Sequence, residues 1–243
     1  MQIITFVRVI LKLNPQFDGA YEIINKYAIQ GFIYHQLLKT PFAKYHDIQG
    51  FKFFTYSDIS PVSDYKKDTS KFLVISSPNP SLINTLYQQL NSKKIAVING
   101  LEFKIVEVKK IRPKITGIFT TSSPIVLYKN NLNNEYFSFR KGGTFNFFIE
   151  RLTENAIKKY QAYYNERINL EGNIFDKLVF RKEVAVNIYK NGIRFIIIGS
   201  MWKLIEKYNI DPRYRKFYGF IMDCGLGEKN SLGFGFINPV RSR

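Results

Sequence analysis

The chain has 243 residues and 36 Lys+Arg against 19 Asp+Glu, a net charge of +17, with 45% hydrophobic and 16% aromatic residues. That composition is folded rather than disordered, and the length suits one large domain or two smaller ones. The single cysteine, Cys224, excludes a disulfide framework and a cysteine-based zinc cluster; it suits a reducing compartment, so a cytoplasmic location is expected.

Ile3–Leu13 (IITFVRVILKL) alternates as a strand, and its Arg8 and Lys12 set it apart from a signal peptide. No apolar run approaches the roughly 18 residues of a membrane span, so no membrane partner is expected. Asp18 is the expected N-cap of a helix over Tyr21–Lys39, with Ile29, Phe32, Ile33, Gln36 and Leu37 on one face. Strands are expected at Phe51–Ser57 and Lys71–Ser76, followed by a helix opening at Ser81. Lys94–Ile111 is split by Asn99-Gly100, the strongest short hairpin signal. The first half therefore reads βαββαβ with its last strand doubled.

After a break near Arg112–Thr121 the pattern restarts. Ser123–Lys129 and Tyr136–Phe139 read as strands, and Thr144 to about Asn165 as a long helix. Leu178–Tyr189 and Ile193–Leu204 form a hairpin about Asn191-Gly192. A helix from about Asp211 and a short strand at Gly233–Asn238 close the chain. The expected fold is α+β, two ferredoxin-like (βαββαβ) domains in tandem, residues 1–115 and 116–243. The basic residues are dispersed, with no basic tail, so any positive surface is assembled by folding; nucleic acid is the preferred polyanionic partner.

Between the last helix and the last strand lies Gly225-Leu226-Gly227-Glu228-Lys229-Asn230-Ser231-Leu232-Gly233-Phe234-Gly235. It is neither a dinucleotide fingerprint nor a P-loop. Such a loop either brings its N–H groups to a phosphate chain, with Lys229 adding charge, or is a turn packed against the neighbouring sheet. The stretch resembles the C-terminal glycine-rich motif of the RAMP superfamily and, more narrowly, of Cas-six, the endoribonucleases that cut CRISPR repeat RNA. Gln30–Tyr34, Gly50–Ser57 and Ser123–Val126 also look like blocks of that family.

The resemblance implies RNA cleavage without a metal or other cofactor, by attack of the substrate's own 2′-hydroxyl on the adjacent phosphate. It carries the catalytic roles to Tyr34, His46 and Lys52. Its RNA-binding role falls on the loop, at Gly225, Gly227, Lys229, Ser231, Gly233 and Gly235. His35 is the rival histidine; adjacent helix positions point about 100° apart, so Tyr34 and His35 do not both face one phosphate. Histidine suits proton transfer and lysine suits the charge of the transition state. The implied partners are CRISPR repeat RNA, other Cas proteins and a second copy of the chain. The alternative is a non-catalytic RAMP-type RNA-binding subunit. Two histidines, one cysteine and few acids leave no standard zinc site and no obvious two-metal nuclease site.

Overall fold

The computed structural model describes residues 7–190 and 192–240. In the first half, β1 (Val7–Pro15) leads into α1 (Lys26–Leu37), β2 (Thr55–Tyr56), β3 (Lys71–Ser77), α2 (Pro80–Asn91), β4 (Ile95–Ile98) and β5 (Leu101–Ile111). These strands form one antiparallel sheet in the order β2-β3-β1-β5-β4. Alternation along β1 buries Val9, Leu11 and Leu13, which share a core with Leu73 and Ile75 of β3, Ile29 and Ile33 of α1, and Leu82 and Leu86 of α2. Asn99 and Gly100 both have positive φ, as a type I′ hairpin turn requires.

Two local expectations change here. Asp18 does not cap α1: its carboxylate accepts from the Lys67 N–H and pairs with Lys66, while the helix starts after Asn25, whose side chain accepts from the Ala28 N–H. Tyr21–Ile23 is a separate 3-10 turn. The strand expected over Phe51–Ser57 shrinks to Thr55–Tyr56 because Phe53 takes a left-handed φ of 49°. That kink sends the Phe53 ring among Phe51, Tyr163 and Phe220 and swings residues 50–53 out of the sheet.

The second half comprises β6 (Ile118–Thr121), β7 (Tyr128–Asn130), β8 (Glu135–Tyr136), α3 (Phe145–Tyr164), β9 (Lys177–Lys190), β10 (Ile193–Glu206), α4 (Arg215–Cys224) and β11 (Ile237–Pro239). Its sheet runs β11-β6-β10-β9, so in both halves the last strand lies beside the first and the two middle strands follow. This is the ferredoxin-like arrangement twice over. The opening strand comes earlier than Ser123: β6 falls inside the expected break. Pro124 has no N–H to continue a ladder, and residues 123–127 keep only single bridges, Ile125 to Ser200 and Val126 to Glu228. The closing strand is likewise trimmed to Ile237–Pro239, paired with Phe119–Thr121. Thr144 caps α3 and Asn165 ends it in the left-handed region. Asn191, half of the expected β9–β10 turn, and residues 3–6 of the expected first strand lie outside the described residues.

The halves are joined by charge buried between them. Arg8 on β1, 1% exposed, reaches into the second half. It donates to the carbonyls of Met222 (2.7 Å) and Ile237 (3.0 Å) and to Asn238 Oδ1 (2.8 Å), and it lies over the Phe236 ring. Asp223 of α4 faces it at 3.5 Å and also accepts from Ser76. Among the described residues no helix is long and apolar enough to cross a membrane.

Candidate RNA-cleavage site

Three segments of the first half bring Tyr34, His46 and Lys52 together. Tyr34 ends the Gln30–Tyr34 block on α1, with its ring edge-on to Phe54 (5.9 Å between centroids) and to His46 (5.4 Å). His46 closes a 3-10 turn, Ala43–His46, that follows α1. Lys52 sits in the segment released by the Phe53 kink; its ammonium donates to the His46 carbonyl at 2.9 Å and lies 5.2 Å from the Tyr34 ring centroid. His35 is elsewhere: it is exposed and lines a separate groove with Phe32, Gln36, Lys93 and Ile95.

The three side chains differ in environment. His46 is exposed, and its Nδ1 lies 2.7 Å from Asp47 Oδ1. A carboxylate only accepts, so Nδ1 carries the proton toward Asp47 and Nε2 is left as the acceptor. Tyr34 is buried, and burial pushes its phenol up to about 12, with Ser231 pulling the other way. Its hydroxyl is buried and makes no hydrogen bond of ordinary geometry, although the Ser231 side chain is near enough to act on it. Such an orphan is uncommon in a folded interior and costs stability.

The glycine loop lies directly against this group. Gln30 donates to the Ser231 carbonyl, Lys26 to that of Gly233, and Thr55 to that of Phe234. A cavity of about 210 Å³ is lined by Gly50–Phe53 on one side and by Lys159, Cys224 and Glu228–Ser231 on the other. Lys52, Lys229 and Ser231 thus share one space. Lys229 also rests beside the stacked rings of Tyr128 and Tyr136, at 5.3 and 5.7 Å.

The loop's own geometry changes the reading of its glycines. Gly225, Gly227, Gly233 and Gly235 are all buried with positive φ. A Cβ on Gly235 would lie 1.8 Å from the Leu226 carbonyl oxygen, and one on Gly233 2.2 Å from the Tyr56 ring. The N–H groups of Gly225, Gly233 and Gly235 are donated to Ile221, Asn230 and Pro124. These three N–H groups are therefore not offered to a phosphate, and the glycines act through shape. The partly exposed stretch of the loop is Glu228–Leu232, which includes Lys229 and Ser231. Among the described residues no group of three or more His, Cys, Asp or Glu side chains is placed to hold a metal ion.

Residues 106–239 match the family described as CRISPR associated protein Cas6, C-terminal. The chain is also 46% identical over 241 residues to "CRISPR-associated endoribonuclease Cas6 2" of Methanocaldococcus jannaschii, covering 97% of this chain and 100% of that one. The chain belongs to the Cas6 family. A solved structure titled "CRISPR associated protein Cas6" superimposes with a TM-score of 0.71 at 26% identity, covering 97% of this chain and all of the other. A second, titled "An RAMP protein binding different RNA substrates", reaches a TM-score of 0.72 at 21% identity with the same coverage and shows the shared fold. The Cas6 fold thus carries the convergence of Tyr34, His46 and Lys52 beside the glycine loop.

Sequence reasoning overlooked Asp47 as the partner of His46, although the two are adjacent. It also overlooked Lys159, whose place beneath the loop leaves no local trace.

Proposed function

We propose that this chain is a metal-independent endoribonuclease that binds CRISPR repeat RNA and cuts it into guide units in the cytoplasm. The reading is carried by one observation: in a Cas6-family chain, a histidine, a lysine and a tyrosine from three separate segments converge beside a basic loop and a shared cavity. In this reading the first unit, residues 1–115, presents the reacting groups, and the second, 116–243, presents the loop.

His46 Nε2 takes the proton from the substrate's 2′-hydroxyl, whose oxygen attacks the adjacent phosphorus. Asp47, accepting from Nδ1–H, holds the imidazole in the required tautomer. The bond from phosphorus to the 5′-oxygen breaks and that oxygen takes a proton from solvent water, leaving a cyclic phosphate on one product and a 5′-hydroxyl on the other; the imidazolium returns its proton to solvent. Lys52, held by its bond to the His46 carbonyl, neutralises charge on the pentacoordinate phosphorus. Tyr34, with its phenol pushed up to about 12, stays neutral and serves as a hydrogen-bonding group rather than a base. Its buried hydroxyl meets the RNA when Ser231 or the 43–52 segment shifts aside. Lys229 and Ser231 hold the strand, while the glycines contribute by giving the loop its shape.

The test is a repeat RNA carrying a single 2′-deoxy nucleotide at the cleavage position, presented in excess chelator. Binding at the affinity of the all-ribose RNA with no cleavage is expected. Cleavage of the deoxy substrate, or failure of the all-ribose RNA to be cut, contradicts the mechanism.

A further inference from the structure

Lys159 has no part in the chemistry described above. It lies on α3, in a stretch (Lys158-Lys159) whose composition reads as a solvated face. Instead it is 1% exposed. Its ammonium runs beneath the glycine loop and donates to the carbonyls of Gly225 (2.6 Å) and Gly227 (2.9 Å) and to Asn230 Oδ1 (2.7 Å). An ammonium has three N–H donors, and three neutral oxygens take them. Glu228, an acid of the same loop, accepts instead from Asn155, and Lys159 enters none of the ion pairs among the described residues.

Burying an ammonium outside any ion pair is costly, and burial lowers the pKa of this lysine while nearby Cys224 and Glu228 pull it up. Three charge-assisted hydrogen bonds offset that cost, and they order the loop. Three oxygens spread over residues 225–230 are drawn to one nitrogen, much as ligands gather on a bound cation. With those oxygens gathered on one nitrogen, the path of the chain between them is fixed. Lys229 is partly exposed there, followed by Ser231, and both line the cavity opposite Lys52. Backbone bonds from Leu226 to Gly235 and from Glu228 to Val126 hold the two sides of this stretch, and the Asn230 amide donates to the Leu226 and Phe234 carbonyls. Lys159 takes the other end of that amide and ties it to the Gly225 and Gly227 carbonyls.

We propose that Lys159 is a positioning residue for RNA binding: its three donors fix residues 225–230 so that Lys229 and Ser231 stand at the cavity wall, and it sets substrate affinity through that loop. The affinity part rests on the reading that repeat RNA occupies the cavity; the ordering of the loop does not.

The experiment compares the full-length protein with Lys159→Ala and with Lys159→Met, which keeps most of the volume. Hydrogen exchange of the 225–235 amides without RNA reads loop order, and titration with labelled repeat RNA at fixed salt reads affinity. Folded variants with faster exchange confined to the loop are expected, together with at least tenfold weaker RNA binding. The cleavage rate at saturating RNA should change by less than threefold, so that the loss falls on KM rather than kcat. Added propylammonium should restore loop protection and affinity to Lys159→Ala, while propanol, of similar size and uncharged, should not. Unchanged loop exchange in folded variants, equal rescue by the alcohol, or global unfolding of both variants would each overturn the proposal. Loop exchange that responds as expected in a protein whose wild type fails to bind repeat RNA would overturn the functional reading and the affinity role, while upholding the ordering of the loop.

Discussion

At the scale of single residues, the site combines an exposed histidine with a tyrosine whose polar end has been walled in. A buried hydroxyl without a partner costs about 1–3 kcal/mol relative to a satisfied one, and Tyr34 carries that cost although phenylalanine would fill the same space beside Phe54 and His46. The account therefore expects stability and activity to move in opposite directions. Tyr34→Phe should raise the free energy of unfolding by about 1 kcal/mol, read from denaturant melts, and lower the single-turnover cleavage rate by at least about tenfold. Because the phenol is held neutral, up to about 12, the same variant should keep the shape of the rate–pH profile. A variant that is both less stable and fully active would show that the hydroxyl serves packing alone.

Among the elements, α1 and the glycine loop show what a glycine does in two different settings. Gly31 lies on the exposed side of α1 with nothing within 4 Å of the position its Cβ would take. There the residue only weakens the helix, and Gly31→Ala should stabilise the protein by about 1 kcal/mol. Gly235 has a φ of 69° and a carbonyl oxygen 1.8 Å from its missing Cβ. Gly235→Ala should cost about 2 kcal/mol or more and distort the loop. Thermal melts of the two variants check the contrast, and similar small effects in both would mean that the loop is not packed as described. The distinction bears on the function, since four tightly confined glycines set the path on which Lys229 and Ser231 are displayed. In the proposed reading they serve RNA binding through the shape of the loop.

Over the whole molecule, the charge of +17 divides into a dispersed solvated set and a few cations that hold the fold together from within. Arg8, Lys26 and Lys159 are all buried, and each donates to carbonyls of residues 222–237, far away in the chain. Local patterns show none of this. The Asn99-Gly100 turn, the long helix opening at Thr144 and the order of elements are legible because each is written in neighbouring residues. The burial of Arg8 depends on partners more than two hundred positions on, and Lys159 reads as one more lysine on a basic helix. For the same reason β6 was missed: Pro113 and Gly117 make residues 112–121 look like a linker, and only pairing with Ile205–Glu206 and with β11 makes a strand of Ile118–Thr121. Tyr34, His46 and Lys52 could be named from family blocks, whereas their convergence required the left-handed Phe53 that no pattern announces.

The junction between the halves has its own signature in pH. Burial raises the Asp223 carboxyl to about 7 against the opposing pull of Arg8. A raised folded-state pKa means that the folded protein holds a proton the unfolded chain has lost. The contribution of this group to stability therefore falls as pH rises from the ordinary carboxyl range near 3.8 through about 7. The stability of the protein relative to Asp223→Asn should decline across that window in denaturant melts at successive pH values. A difference that grows with pH would show that the attraction of Arg8 outweighs burial.

The central claim is that the histidine between α1 and β2, rather than the one on α1, performs the proton transfer. Single-turnover cleavage of repeat RNA in excess chelator, run side by side with wild type, His46→Ala and His35→Ala under RNA concentrations that saturate each, tests it most directly. The account predicts that His46→Ala binds the RNA and leaves it uncut, while His35→Ala cuts at close to the wild-type rate. Cleavage that survives in His46→Ala and is lost in His35→Ala would contradict it.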